Sequence, residues 1–595
     1  MVSKLKEESN SEMGGELFVE VGQYDGWEDA ELDLYRSRRR LLKLFRSKKI
    51  AQPSREFGSP LGWFVDQVIC ETALTKVDNW SRLQSGDVNP RLLAAELFEI
   101  GSDLIGRFGS ASKLESGVTV GESVTLLGIS QALSCMVGHC ELSDWTQLVS
   151  GLVEISQKAD LNQCLAPPVY QMLAVELPLT ICFQLPEIEG QEQLARSICS
   201  KISASLTEQL DIDGWPQATY LEDFGLLAAS WVRCGLMLRK MKLALNEDAF
   251  AQLEGAVSQV LRLLRPNGTL AFSSGDPRPA DASLIYSLRK LSKDPKIKKV
   301  LKRIGEQNLV PAKKKQLPPS CLSEWGASAT LRSHWGEASP RVCLDFSSTE
   351  GFRGEIARSK QLIAGDIMPE ISINGVSASP IGDFQLVCEE SDRDVEYAEL
   401  ELKLTGDTTL SRQVLLSRDE EFLIIADSIV PGMAARIDYR CRYPLADGIL
   451  GMRESENREV YLRTSEIQAL VLPLALPEWK VGITDDRLEF KDHALELVQS
   501  IDGFGLCAPL FFDLNPKRSR LKRTWRQLTV AEDLLPVPRD VAVAYRVQID
   551  EQQWFLYRAL THRGNRTFFG ENFTGEFMLS RFEKGGKVSS LIVVE

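Results

Sequence analysis

Tyr220 is the residue best placed by its neighbours to move a proton. It lies in Asp211-Ile212-Asp213-Gly214-Trp215-Pro216-Gln217-Ala218-Thr219-Tyr220-Leu221-Glu222-Asp223, a polar and aromatic stretch. Gly214 and Pro216 permit a sharp turn. A tyrosine hydroxyl serves as acid or base when a nearby cation lowers its pKa. Trp215 could stack on a sugar ring, and Glu222 adds a carboxylate two residues beyond the tyrosine. The plainer reading is an inter-helix turn, with Thr219 capping and Tyr220 packing.

A second cluster is Arg332-Ser333-His334-Trp335-Gly336. An arginine and a histidine could hold a carboxylated sugar while Trp335 faces its ring, and clefts between domains are common ligand sites. The alternative makes Trp335 core and His334 an exposed neighbour. Two further stretches invite a ligand. Lys517-Arg518-Ser519-Arg520-Leu521-Lys522-Arg523 is strongly basic and could attract a polyanion, or could be a solvated loop. Asn565-Arg566-Thr567-Phe568-Phe569-Gly570-Glu571-Asn572-Phe573 reads as a structured loop or as a saccharide contact.

Other chemistries find little support. The four histidines, His139, His334, His493 and His562, show no metal-ligand spacing, so no metal is expected. No glycine-rich phosphate loop joins a strand to a helix, and no GxSxG elbow occurs; no cofactor is expected. Twelve cysteines are scattered without a CxxC pair, mostly among apolar neighbours, which reads as free thiols in a reducing compartment.

The elements that must carry these residues change character along the chain. Leu93, Leu97, Ile100 and Leu104 share one helix face, as do Leu253, Val257, Val260 and Leu264. Phe224, Leu227, Trp231, Cys234 and Leu238 form a third stripe, directly after the Tyr220 segment. Further helices are expected near 29–48, 62–84, 119–137, 143–158, 168–184, 191–209 and 280–305. After EQNLVPAKKKQLPPS the period becomes two. Val541, Val543, Tyr545, Val547 and Ile549 alternate with Ala542, Ala544, Arg546, Gln548 and Asp550, as in a half-buried antiparallel strand. Ala398, Leu400, Leu402 and Leu404 alternate with Glu399, Glu401 and Lys403, and Gly585-Gly586 reads as a hairpin connection between 577–582 and 588–594. The expected domains are a flexible N-terminus (1–28), a helical domain (29–305), a linker (306–320) and an antiparallel β-sandwich (321–595).

Composition bounds the rest. Lys+Arg 69 against Asp+Glu 83 leaves a net charge of −14 over 595 residues, which argues against nucleic acid as a general partner. No run of about 18 apolar residues suggests a membrane-spanning helix. The first 22 residues lack an apolar core of seven or more, so the expected location is cytoplasmic. Arg36, Arg38, Arg39, Arg40, Lys43 and Arg46 sit on a basic helical stretch that could dock on the acidic body or on a partner.

A helical half followed by an antiparallel β half resembles the heparinase II/III-like polysaccharide lyases. DIDGWPQATY is similar to the family's Asp-Gly turn before a tyrosine. LRPNGTLAFSSGD, QVLLSRDEEFLIIADSIV and NRTFFGENFTGEFMLSRFEKGGKVSSLIVVE also resemble family segments, over about residues 60–595. The resemblance implies an α+β multidomain fold: an N-terminal (α/α) toroid-like domain, then an antiparallel β-sandwich. It implies β-elimination on a uronate-containing acidic polysaccharide or oligosaccharide. Tyr220 and His334 would be catalytic, and Trp215, Arg332, Trp335 and Glu222 would bind substrate in a crevice where the two halves meet. The position after Tyr220, often histidine in that family, is Leu221 here, and RVCLDFSSTEGF lacks the family's sandwich histidines. The alternative is therefore a catalytically inactive saccharide- or protein-binding relative.

Overall fold

A computed structural model describes residues 61, 63–66, 89–108, 117–162, 164–186, 191–273, 275, 277–280, 282–305 and 317–595, the last range without 337, 350, 482, 483 and 584–586. The N-terminal segment 1–28, the helix 29–48 with its basic stretch, most of the helix 62–84, the linker core 306–316 and the Gly585-Gly586 pair lie outside the described residues. The chain divides into two compact units, one to residue 308 and one from 309.

The first unit is helical among its described residues. Pro90–Phe108 starts behind Asn89, whose side chain accepts from the Arg91 N–H at 3.1 Å. Leu93, Leu97 and Leu104 are buried as their spacing predicts, with Gly101 pressed so closely to Leu148 that a β-carbon would lie 2.6 Å from its Cδ1. Val120–Met136 carries a capping box formed by Thr119 and Glu122. Leu142–Leu161 follows.

The helix expected at 168–184 is three pieces. Pro167–Tyr170 leads into a π-helical segment, Gln171–Glu176, and then Leu177–Gln184. Pro178 has no N–H for the turn before it, and the hydrogen-bond ladder widens there. Gln191–Gln209, Phe224–Lys240 and Glu247–Leu263 continue the unit. Phe224, Leu227, Trp231, Cys234 and Leu238 are all buried.

The single helix expected at 280–305 is two, Ala282–Leu291 and Pro295–Gly305. Pro295 starts the second. The exposed backbone N–H groups at the break are taken by carboxylates: Asp294 N–H donates to Glu254 Oε1 at 2.9 Å and Lys296 N–H to Asp294 Oδ1 at 2.6 Å.

The second unit is built from antiparallel sheets. Its centre is an eight-stranded sheet ordered Leu450–Arg453, Val460–Arg463, Ile467–Pro473, Leu506–Asp513, Phe422–Pro431, Thr408–Ser417, Val395–Leu404, Gln385–Ser391. Alternation sorts its side chains onto two faces, and both are buried along the central strands, while the edge strands Gln385–Ser391 and Leu450–Arg453 are largely exposed. Leu400, Leu402, Val414, Leu423 and Phe512 pack with Val342, Leu344 and Ile356 of a sheet spanning 321–366, and with Ile437, Tyr439 and Leu497 of a sheet containing Ala435–Pro444 and Ala494–Gly503. Tyr397, Leu415, Phe422, Ile424 and Phe511 pack the other way, against Trp525, Val543, Tyr545, Trp554 and Leu579.

Burial on both faces corrects one expectation. Glu399, on the supposedly polar side of its strand, is 4% exposed. It is satisfied there: Tyr397 Oη donates at 2.7 Å, Gln413 Nε2 at 2.8 Å and Arg558 Nη2 at 2.7 Å. The C-terminal sheet runs Arg523–Leu528, Ala542–Ile549, Gln552–Ala559, Phe577–Phe582, Val588–Val594.

Candidate active-site residues in each unit

The Tyr220 segment begins where helix Gln191–Gln209 ends. Asp211 organises the turn. Its Oδ1 accepts from the Asp213 N–H at 2.9 Å and the Trp215 N–H at 2.8 Å, while its own N–H donates to Trp215 C=O at 3.0 Å. Gly214 closes the turn at φ +79° and lies on the backbone of Gly255 in helix Glu247–Leu263. Gln252 and Gln259 of the same helix hold the turn by donating to Leu210 C=O and Asp213 C=O, at 3.0 and 2.8 Å.

A matching device follows that helix. Leu264 pairs with Leu270 as Leu210 pairs with Pro216, and Gly268 at φ +85° takes the place of Gly214. Pro216 then leads to a single 3₁₀ turn, Ala218–Tyr220, tied by Tyr220 N–H to Gln217 C=O at 2.8 Å.

This frame decides what is accessible. Trp215 is 0% exposed, so the expected sugar stacking is corrected: its indole is core, buried with the turn against the next helix. Tyr220 is half-buried, Glu222 is exposed and Leu221 is buried. The Asp223 carboxyl sits above its usual range, chiefly from burial and then from neighbouring Glu222.

The Arg332–Gly336 cluster follows strand Ser328–Arg332 of the second unit. Trp335 is 2% exposed and donates Nε1–H to Leu317 C=O at 2.7 Å, so this ring also presents no face to a sugar. Arg332 clamps its own loop. Its Nε donates to His334 C=O at 3.1 Å, its Nη2 to Gly336 C=O at 2.9 Å, and its guanidinium lies 4.9 Å from the Trp335 ring centroid. The expected hold of Arg332 on a uronate is thus replaced by a structural one.

His334 remains available in part. It is half-buried, its Nδ1 lies 3.0 Å from Ser333 Oγ, and its backbone N–H donates to Ser339 Oγ at 3.1 Å. Burial, aided by Arg332 and Arg358, holds its pKa below the ordinary value against the pull of Glu421 and Asp419. The imidazole is therefore neutral at pH 7 and able to accept a proton.

Sequence reasoning passed over several buried ion pairs, two of which stand out. Arg412 and Asp427 occupy facing positions on adjacent strands, both 0% exposed, joined by two 2.7 Å bonds and a third from Tyr439 Oη at 2.8 Å. In the helical unit, Arg233 grips Glu176 of the π-helical segment at 2.5 and 2.8 Å. Only the odd charge within an apolar run marks either pair in the sequence. Ten described cysteines are free thiols, and burial pushes Cys182 and Cys507 up to about 12, which makes them poor nucleophiles.

No family model matches the sequence, and no curated protein matches it. Solved structures do. A heparan sulfate lyase from Pedobacter heparinus superposes with a TM-score of 0.58 at 10% identity, over 91% of this chain and 98% of that one. The heparinase III BT4657 gene product gives 0.57 at 10%, over 90% and 98%. Another heparinase III gives 0.53 at 12%, over 93% and 98%. Helices in the first part and antiparallel sheets in the second thus follow one architecture: this chain has the fold of the heparinase III-type lyases.

Proposed function

We propose that this chain is a polysaccharide lyase acting on a uronate-containing acidic polysaccharide by β-elimination. The observation that carries the reading is the fold likeness to a heparan sulfate lyase over 98% of that protein's length. In this reading residues 29–305 form an (α/α) toroid, 306–320 a linker and 321–595 a β-sandwich, working where thiols stay reduced.

The chemistry asks for three things. The uronate carboxylate must be neutralised, so that the proton on the adjacent carbon becomes acidic. A base must remove that proton. As the new carbon–carbon double bond forms, the bond to the glycosidic oxygen breaks, and that oxygen takes up a proton. We assign proton transfer to Tyr220, held by a turn that Gly214 and Asp211 make rigid. We assign His334, neutral at pH 7, a supporting role as proton acceptor or carboxylate partner. Glu222 is the polar neighbour of Tyr220, while Trp215, Arg332 and Trp335 serve as scaffold.

The test is incubation with uronate polymers and reading the ultraviolet absorbance of the unsaturated product. Product formation lost in Tyr220→Phe supports the assignment, and activity unchanged by it removes Tyr220 from the mechanism. A second reading, a saccharide-binding relative without turnover, is favoured by one observation: Arg332 spends donors on its own loop. Glycan binding without product would establish it.

A further inference from the structure

The outer face of the C-terminal sheet carries two facing arginines beside an aromatic cluster. Trp525, Val543, Tyr545, Val547 and Trp554 point inward to the core. Their alternate neighbours point out. One end of that outer face packs Ala542, Ala544 and Tyr557 beneath Phe568 and Val530. At the other end Arg526 is exposed and Arg546, Gln548, Gln553 and Phe582 are half-buried around Phe555, which is 1% exposed.

Arg526 and Arg546 are directly opposite each other on neighbouring strands, and Arg526 is exposed. Like charges in that relation repel, and among the described residues neither guanidinium has a carboxylate within ion-pair distance. Arg546 is oriented by Gln553 Oε1 at 2.9 Å and by Gln548 Oε1. An aromatic shelf adjoins them. Phe569 sits at φ 50°, a conformation costly for a bulky side chain, yet the residue is 51% exposed. It is held over Phe555 at 4.9 Å between centroids and near Phe582 at 6.2 Å, with Arg546 5.9 Å from its centroid. At the end of these strands lies a surface cleft of about 520 Å³, lined by Phe582 and Leu521 and by Gln552 and Arg581, which alternation puts on the inner face.

We propose that this face is a non-catalytic binding platform for an anionic saccharide. The unneutralised arginine pair takes a carboxylate or sulfate through paired N–H donors, the ring of Phe569 stacks on the sugar, and Gln548 and Gln553 set the orientation. Asp550, Glu551 and Glu583 stand at the strand ends beyond this face, so the anionic group is assigned to the arginines. A polysaccharide fits better than nucleic acid because the protein as a whole carries −14. The choice of an acidic glycan rests on the lyase reading.

The test measures Kd for size-defined chondroitin sulphate by calorimetry on the full chain, in a Tyr220→Phe background that keeps the polymer intact. Arg526→Gln and Phe569→Asn are compared with that parent. Arg526 is exposed, so an unchanged Tm is expected for Arg526→Gln; asparagine tolerates the positive φ at 569 but uncovers Phe555, so a modest fall in Tm with a retained cooperative melt is expected for Phe569→Asn. The platform predicts about tenfold weaker binding in each variant and none to dextran. Affinity retained in both variants, no binding by the parent, or equal binding of duplex DNA overturns it. Failure of the lyase reading is separate: it shows as no unsaturated product from the unsubstituted protein while these binding losses persist.

Discussion

The β-carbon that Gly214 lacks would fall 2.0 Å from the carbonyl carbon of Gly255. The reciprocal contact is looser but still too close for a side chain, since a β-carbon on Gly255 would lie 2.8 Å from Asp213 C=O. Two glycines far apart in sequence thus seat the Tyr220 turn on helix Glu247–Leu263. Backbone faces backbone there, so neither side can yield by a rotamer change.

Gly214→Ala therefore meets a clash and an unfavourable φ of +79° together. We expect destabilisation of about 3 kcal/mol or more, read as a lower denaturant midpoint. Gly375→Ala, at φ +77° with open space around it, isolates the backbone part and should cost about 1 kcal/mol. Equal losses in both would show that the Gly214–Gly255 approach carries no weight.

Tyr220→Phe should lower product formation by about a hundredfold or more if the hydroxyl transfers a proton, with KM for the polymer little changed. Circular dichroism should be unaltered, because among the described residues Tyr220 is hydrogen-bonded through its backbone N–H and not through its hydroxyl.

His334 makes stability depend on pH in a defined direction. Its folded pKa lies below the ordinary 6.5, chiefly through burial, so the unfolded chain binds the proton more readily. Its contribution to stability is fully present above about pH 6.5 and is lost as pH falls from there through the lower folded value. His334→Gln should flatten the Tm profile below about pH 6.5. An unchanged slope in that window would place the titration elsewhere.

Arg412 and Asp427 should behave as a unit. Removing one partner leaves a charge at 0% exposure, so Arg412→Met alone should cost about 3–5 kcal/mol. Asp427→Leu together with Arg412→Met should recover a substantial part of that loss, although Tyr439 then loses its acceptor. Urea midpoints of the two single variants and the double variant measure the coupling.

Much of the local structure is legible in the sequence. A period near 3.6 marks the buried stripe from Phe224 to Leu238, and a period of two marks Ala542–Ile549. The Asp-Gly turn before Tyr220 follows from residue types that favour it. These are local preferences, acting over a few residues. Only tertiary structure decided the rest. Whether Trp215 is a ligand platform or core depended on a helix some forty residues later in the chain. Whether Glu399 faces water depended on a sheet reaching it from residue 558. That Arg526 faces Arg546 is a matter of register between strands joined by a long excursion. Periodicity says which side of a strand a residue takes; what then covers that side is settled by long-range packing, and exposure is what turns a polar or aromatic side chain into a site.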